Sequence, residues 1–381
     1  MAKRLRDAVQ ATDTAARFGG DEFAILLEDV DPASAVDLAD RLVRCFEIPI
    51  GVGDADMLVR PSLGIALSDT GTAAPPTDAG ALIRNADAAM YMCKREGKGG
   101  YRVFEAAMHE RALERLELRA ELQQAISDGQ LELHFQPVVL LSDGSPIGVE
   151  ALVRWRHPTR GLLQPGQFVA LAEEMGLIVD LGRWVLGAAC RQAVQWLRAG
   201  EVTPSFSMGV NLSVKQLQHP DAIADVRAVL AESGIDPRML VLEITETVMM
   251  ADYDLAARRL EQLKQLGVRF ALDDFGTGYS SLGHLSRLPV DVLKMDRSFL
   301  ASNVTPGASG LAAAVISLGG SLGLRVVAEG IESSNQYESL RALGCDYGQG
   351  FFIARPMDVA ATGAWLARAE LARSDAEAAA A

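Results

Sequence analysis

Arg269-Phe270-Ala271-Leu272 is an apolar run of strand length that ends directly in Asp273-Asp274. A buried strand closed by two adjacent acids is costly unless those acids meet water, a partner or a cation. Working outward, the same pattern recurs over most of the chain. Short apolar runs lie at Leu131–Val139, Gly148–Trp155, Phe206–Leu212, Leu240–Thr245, Arg269–Leu272, Val290–Met295, Arg325–Ala328 and Tyr347–Ile353. Most are separated by helix-periodic segments. Eight such strands predict an α/β fold of the (β/α)8 barrel type.

What ends each run carries the chemistry. Strand two passes through Glu150, strand three ends at Asn211, and strand four carries Glu243. After Asp273-Asp274, strand six carries Lys294, strand seven Glu329 and strand eight Gln349. One buried strand-end acid is most simply a structural salt bridge or cap. A converging set is different, because clustered carboxylates with a single lysine repel one another without a cation. Oxygen ligands with no His or Cys select a hard ion such as Mg²⁺ or Mn²⁺. The Asp273-Asp274 pair would let one side chain bridge two ions while its neighbour completes the second. Two ions clamp the attacking and leaving oxygens of a phosphoryl displacement, which points to phosphodiester hydrolysis.

Composition bounds the rest. A chain of 381 residues leaves room for two to three domains, and 49% hydrophobic with 23% charged residues is ordinary globular usage. The formal net charge of −14 argues against coating polymeric nucleic acid or an anionic membrane surface. Cys45, Cys93, Cys190 and Cys345 form no CxxC pair, and no apolar run is long enough to span a bilayer. A cytoplasmic protein without a membrane segment in this chain is expected. That expectation leaves open a membrane-anchored sensor upstream in a longer protein. The domains are expected at 1–106, a connecting helix at 107–128, the barrel at 129–368 and a frayed Ala-rich tail at 369–381. In the connecting helix, Leu113, Leu116 and Ala120 have the spacing of a packed face.

Glu150-Ala151-Leu152-Val153-Arg154-Trp155, Asn211-Leu212-Ser213, Leu242-Glu243-Ile244-Thr245-Glu246, Asp273-Asp274-Phe275-Gly276-Thr277-Gly278, Leu293-Lys294-Met295-Asp296, Glu329-Gly330-Ile331-Glu332 and Gln349-Gly350 resemble the EAL family of cyclic di-GMP phosphodiesterases over about residues 115–368. The resemblance implies a modified TIM barrel that linearises cyclic di-GMP with two Mg²⁺ or Mn²⁺ ions. It assigns Glu150, Asn211, Glu243 and Asp273 to one ion, and Asp273 with Asp274 to the other. Glu329 becomes a ligand or general base, Gln349 positions solvent, and Lys294 contacts the attacking water. Gln136, Leu152 and Arg154 become substrate contacts. Glu246, Gly276 and Gly278 would hold the loop after strand five, through which the family resemblance implies a homodimer.

Near the start, Arg17-Phe18-Gly19-Gly20-Asp21-Glu22-Phe23 resembles the signature of GGDEF diguanylate cyclases, with Glu22 or Asp21 as its metal acid. Only eighteen residues precede Gly19, so the family's earlier metal-binding strand and guanine-contacting helix are missing from this sequence. The module is expected to be an inactive, truncated remnant, free to regulate. Two rival readings are a cyclic di-GMP receptor that signals through the 107–128 helix without turnover, and a two-acid glycosidase barrel. The first would be favoured by missing ligands, and none is missing. The second explains neither Asn211 nor Lys294. Incubated with GTP, this chain is expected to yield no cyclic di-GMP by chromatography, and clear product would overturn the truncated reading.

Overall fold

The computed structural model describes residues 2–10, 12–52, 55–68, 78–95, 99–246, 253–276, 285, 287–300 and 308–380. The chain divides into two compact units, Met1–Leu118 and Arg119–Ala381. The first holds α1 (Ala2–Ala8), β1 (Thr14–Gly19), β2 (Glu22–Leu26), α2 (Pro32–Cys45), β3 (Ile50–Val52), β4 (Ala55–Met57), β5 (Ser62–Ile65), α3 (Ala79–Arg95) and β6 (Gly100–Val103). Helix α2 starts where Asp31 accepts a hydrogen bond from the Ser34 amide and Pro32 takes the first turn. It buries Ala35, Leu38, Ala39 and Leu42. Strand β5 starts only after Pro61, which has no N–H to give a ladder. Strands β5 and β6 pair in parallel, as β–α–β connection through α3 requires. Strands β1 and β2 form a separate exposed antiparallel hairpin.

Helix α4 (Ala106–Ser127) crosses the boundary between the units. It buries Leu118, Leu122 and Ala125; of the expected face, Leu116 is 62% exposed and Ala120 is exposed, and the Leu113 side chain lies outside the described residues. Both sets have helical spacing; burial distinguishes them.

The second unit is an eight-stranded barrel. After β7 (Leu131–Leu140) and β8 (Pro146–His157) come β9 (Gly161–Leu163), α5 (Pro165–Met175), α6 (Ile178–Ala199), β10 (Ser207–Asn211), α7 (Val214–Gln218), α8 (Ala222–Ser233) and β11 (Leu240–Thr245). Then follow α9 (Tyr253–Lys264), β12 (Arg269–Phe275), β13 (Val292–Met295), α10 (Ala308–Leu322), β14 (Arg325–Ala328), α11 (Ser334–Ala342), β15 (Tyr347–Gly348) and α12 (Val359–Ala380). The sheet runs β10-β11-β12-β13-β14-β15-β7-β8, and a β10–β8 pairing closes it. Parallel pairs make up most of the ring, but β7 is antiparallel to both β8 and β15. The short β7–β8 connection cannot hold a crossover helix, so it forms a hairpin and reverses one barrel strand. This is the modification of the barrel.

Side chains between barrel and helices form the core. Trp155 and Phe135 are 0% exposed; Trp155 meets Phe168 edge-on at 5.7 Å, and Phe135 meets Trp196 at 4.9 Å. Serines start helices just past site residues: Ser213 caps α7 two positions after Asn211, and Ser333 caps α11 four positions after Glu329. Strand eight, expected to reach Ile353, stops at Gly348, where the chain turns. The tail expected to fray remains helical to Ala380, consistent with the high helix propensity of alanine. Trp155→Ala is expected to destabilise the barrel by about 3–5 kcal/mol, because it removes a fully buried ring and leaves a cavity. A thermal melt followed by circular dichroism checks this; an unchanged barrel transition would contradict the packing.

Candidate active site

The interior positions of the strands recur every second residue, so a short stretch of each contributes one side chain to the carboxyl-end rim. Pairing aligns these contributions: Gly209 lies opposite Glu150, Asn211 opposite Glu243, and Thr245 opposite Asp273. At the centre stands Lys294 from β13, 3% exposed. Its Nζ lies 3.3 Å from Glu150 Oε2, 3.4 Å from Asp273 Oδ1 and 2.7 Å from Glu329 Oε1, and it donates to Glu243 Oε2. Four carboxylates from four strands thus share one ammonium.

Neutral amides complete the ring around Glu150. Asn211 donates to Glu150 Oε1 at 2.7 Å, and Gln349 donates to Glu150 Oε2 at 2.8 Å and to Gln136 Oε1 at 3.2 Å. Gln136 in turn donates to the Ala354 carbonyl. Gln136, expected as a substrate contact, orients Gln349 here.

Strand alternation would send Asp273 and Asp274 to opposite faces, yet both serve the rim. The β12–β13 register shifts between Leu272 and Phe275, and Asp274 adopts φ 54°, a left-handed backbone unusual for a residue with a Cβ. One carboxylate oxygen each from Asp273, Asp274 and Glu329 thereby falls within 4.8 Å of the others. Just beyond, Gly276 has φ 97° and donates its N–H to Glu246 Oε1 at 3.0 Å. A Cβ there would lie 2.1 Å from the Phe299 ring, so both conformation and space require glycine. Gly278 lies outside the described residues.

Electrostatics follow from this crowding. Burial pushes Glu150 up, but the Lys294 charge and the bonds from Gln349 and Asn211 outweigh it and hold its carboxyl below the ordinary range. Glu243 is driven well above, by burial and by the neighbouring Glu150 charge. Asp274 is raised by burial and by Asp273, and Glu329 is raised to about 7, chiefly by burial. Burial disfavours the Lys294 ammonium, yet Glu150, Glu243, Glu329 and Asp273 hold its pKa well above normal. One lysine is too little positive charge for this set. The all-oxygen donors and the raised acids therefore fit a hard divalent cation, which would keep every carboxylate ionised.

Arg154 is buried at 5% exposure and donates to the Val153 carbonyl. Among the described residues no carboxylate lies within ion-pair distance of it. Leu152, half-buried, pairs in register with His134. Gly209 went unrecognised in the sequence: a Cβ there would lie 2.2 Å from Glu243 Oε1, so glycine makes the seat for that carboxylate. A glycine inside a strand run was the available signal. In the first unit, Gly19, Gly20, Asp21 and Glu22 sit at the exposed β1–β2 turn, with Phe23 half-buried under the Arg17 guanidinium.

Comparison with known proteins identifies the family. The family model described as the EAL domain matches residues 119–356. The chain belongs to the EAL family. Residues 1–100 match the model described as diguanylate cyclase, GGDEF domain. A Pseudomonas aeruginosa relative named bifunctional diguanylate cyclase/cyclic di-GMP phosphodiesterase MucR is 45% identical over 363 residues, covering 94% of this chain and 51% of that protein. Another from the same organism, named cyclic di-GMP phosphodiesterase NbdA, is 38% identical over 95% of this chain and 46% of its own length. The chain thus spans about half the length of the curated relatives it matches. A solved structure titled PaMucR phosphodiesterase, c-di-GMP complex, is 46% identical with a TM-score of 0.61, covering 64% of this EAL chain and 98% of that one.

The shared lysine yields a prediction. Lys294→Met leaves the buried carboxylates without their cation and is expected to lower the melting temperature in EDTA; breaking a buried charge cluster costs about 3–5 kcal/mol. Added Mn²⁺ is expected to restore much of the loss. A variant as stable as wild type in EDTA would show that the cluster does not depend on the lysine.

Proposed function

We propose that the barrel, about residues 129–368, hydrolyses cyclic di-GMP to linear pGpG using two Mg²⁺ or Mn²⁺ ions. The observation that carries this reading is the rim of five carboxylates around one lysine, beside a buried arginine with no acidic partner among the described residues. Glu150, Asn211, Glu243 and Asp273 would hold one ion, and Asp273 with Asp274 the other. Bound there, the ions supply Lewis-acid activation of water and charge stabilisation at phosphorus.

The chain's own groups do the rest. Arg154 holds the phosphate through its planar guanidinium, which matches phosphate oxygens better than an ammonium would. Leu152 and Gln136 line the substrate side. Glu329 accepts the proton of the attacking water. The water oxygen bonds to phosphorus, the P–O3′ bond breaks, and the released 3′ oxygen takes up a proton. Lys294 offsets charge that grows on the phosphoryl oxygens, and Gln349 orients the water. Glu246 fixes the loop after β12 through Gly276, and Gly278 is assigned to the same loop. This loop is also the proposed homodimer contact.

No helix among the described residues is long and apolar enough to cross a membrane, and a cytoplasmic dinucleotide pool would be the substrate source. The first unit, joined through the 107–128 helix, is proposed to regulate and not to cyclise GTP.

With cyclic di-GMP and Mg²⁺ or Mn²⁺, wild type is expected to release pGpG, while Glu150→Ala loses at least 100-fold in rate by chromatographic assay. If wild type binds the dinucleotide but yields no linear product with either metal, the receptor reading replaces this one. Calcium is expected to support binding with poor turnover, because its looser coordination misplaces the water. Equal rates in calcium and magnesium would contradict a two-ion site.

A further inference from the structure

The half of the barrel away from the acidic rim is hollow. A cavity of about 450 Å³ enters beside the starts of β8, β10, β12 and β15 and ends behind Glu243 and Lys294. Its volume falls within the usual range of ligand pockets, about 300–1,000 Å³. Among the lining positions Ala271 carries only a methyl where most barrels place a branched side chain, whereas the space at Gly148 and Gly209 is taken by Ser207 and the Glu243 carboxylate. Val241, Val292 and Val327 line it with apolar surface, and Ser205, Ser207 and Tyr347 add hydroxyls to the lining.

The mouth also holds Arg269, half-buried. Its guanidinium donates to the Arg238 carbonyl at 2.8 Å and to Ser207 Oγ at 2.8 Å, both neutral acceptors. Among the described residues it has no carboxylate partner. Arg238 and Arg325, which flank this end of the barrel, are each neutralised by an aspartate, Asp236 and Asp346. In a chain of net charge −14, a half-buried arginine left uncompensated at the mouth of an apolar cavity has the chemistry of an anion receptor.

We propose that this cavity is a second ligand site, separate from the acidic rim, for a monocarboxylate with a short to medium apolar chain. The carboxylate pairs with Arg269 and the seryl hydroxyls, and the chain lies along Val241, Val292 and Val327. The deep end reaches the back of Lys294 and Glu243, so an occupant touches the rim cluster from behind.

Octanoate serves as probe with the full chain, followed by titration calorimetry and by the carboxyl ¹³C shift. Wild type is expected to bind one octanoate saturably, with no displacement by cyclic di-GMP in calcium. Arg269→Gln is expected to weaken binding at least tenfold. Ala271→Leu, which fills the cavity and keeps the arginine, is expected to abolish it while the thermal transition persists. Octylammonium, with the same chain and opposite charge, is expected not to bind. Non-saturable uptake, equal affinity in both variants, displacement by cyclic di-GMP or equal binding of octylammonium would each overturn the proposal. Because the readout is binding, it stands or falls independently of whether the rim hydrolyses phosphodiesters.

Discussion

Five carboxyl groups brought to one rim of a closed barrel, with a single buried lysine among them, set the terms for the rest of the molecule. Glu150, Glu243, Asp273 and Glu329 all lie within 4 Å of Lys294 Nζ, and Asp274 stands beside them. Such a cluster survives burial only if its geometry is held from outside, since like charges at these distances would otherwise push the strands apart. The barrel supplies that restraint. Its strands are hydrogen-bonded on both sides, and the apolar layer between strands and helices, including Trp155, Phe135 and Phe270, is sealed from water.

Two local departures from regular β-structure turn that restraint into a site. Reversal of β7 places Gln136 opposite Glu150 in an antiparallel pair, within reach of Gln349. The irregularity at Asp274 puts adjacent residues on one rim where alternation would separate them. Each has a steric counterpart: Gly209 leaves room for the Glu243 carboxylate, and Gly276 leaves room for the Phe299 ring. The acids therefore depend on glycines that carry no charge and make no catalytic contact.

The two ends of the barrel differ in kind. The carboxyl end concentrates negative charge around a cation, and at the opposite end Arg269 has no counter-ion among the described residues and stands above an apolar hollow. Both features lie along the same inward-facing positions: Arg269, Ala271 and Asp273 follow one another on β12 at every second residue.

Much of this was legible in the chain itself. Apolar runs of four to nine residues that carry or end in Glu, Asn, Asp, Lys and Gln specify buried strands with polar ends, and their order specifies the barrel and its candidate ligands. The N–H and C=O groups of a buried run must pair with neighbours, so a repeated pattern of this kind has few solutions. What the linear pattern left open depends on partners distant in sequence. Strand direction at β7, the packed face of α4, the seat provided by Gly209 and the uncompensated Arg269 each depend on a neighbour's position. So does the ionisation of Glu243 and Glu329, because burial and the nearest charge set it, and both exist only once the barrel has closed.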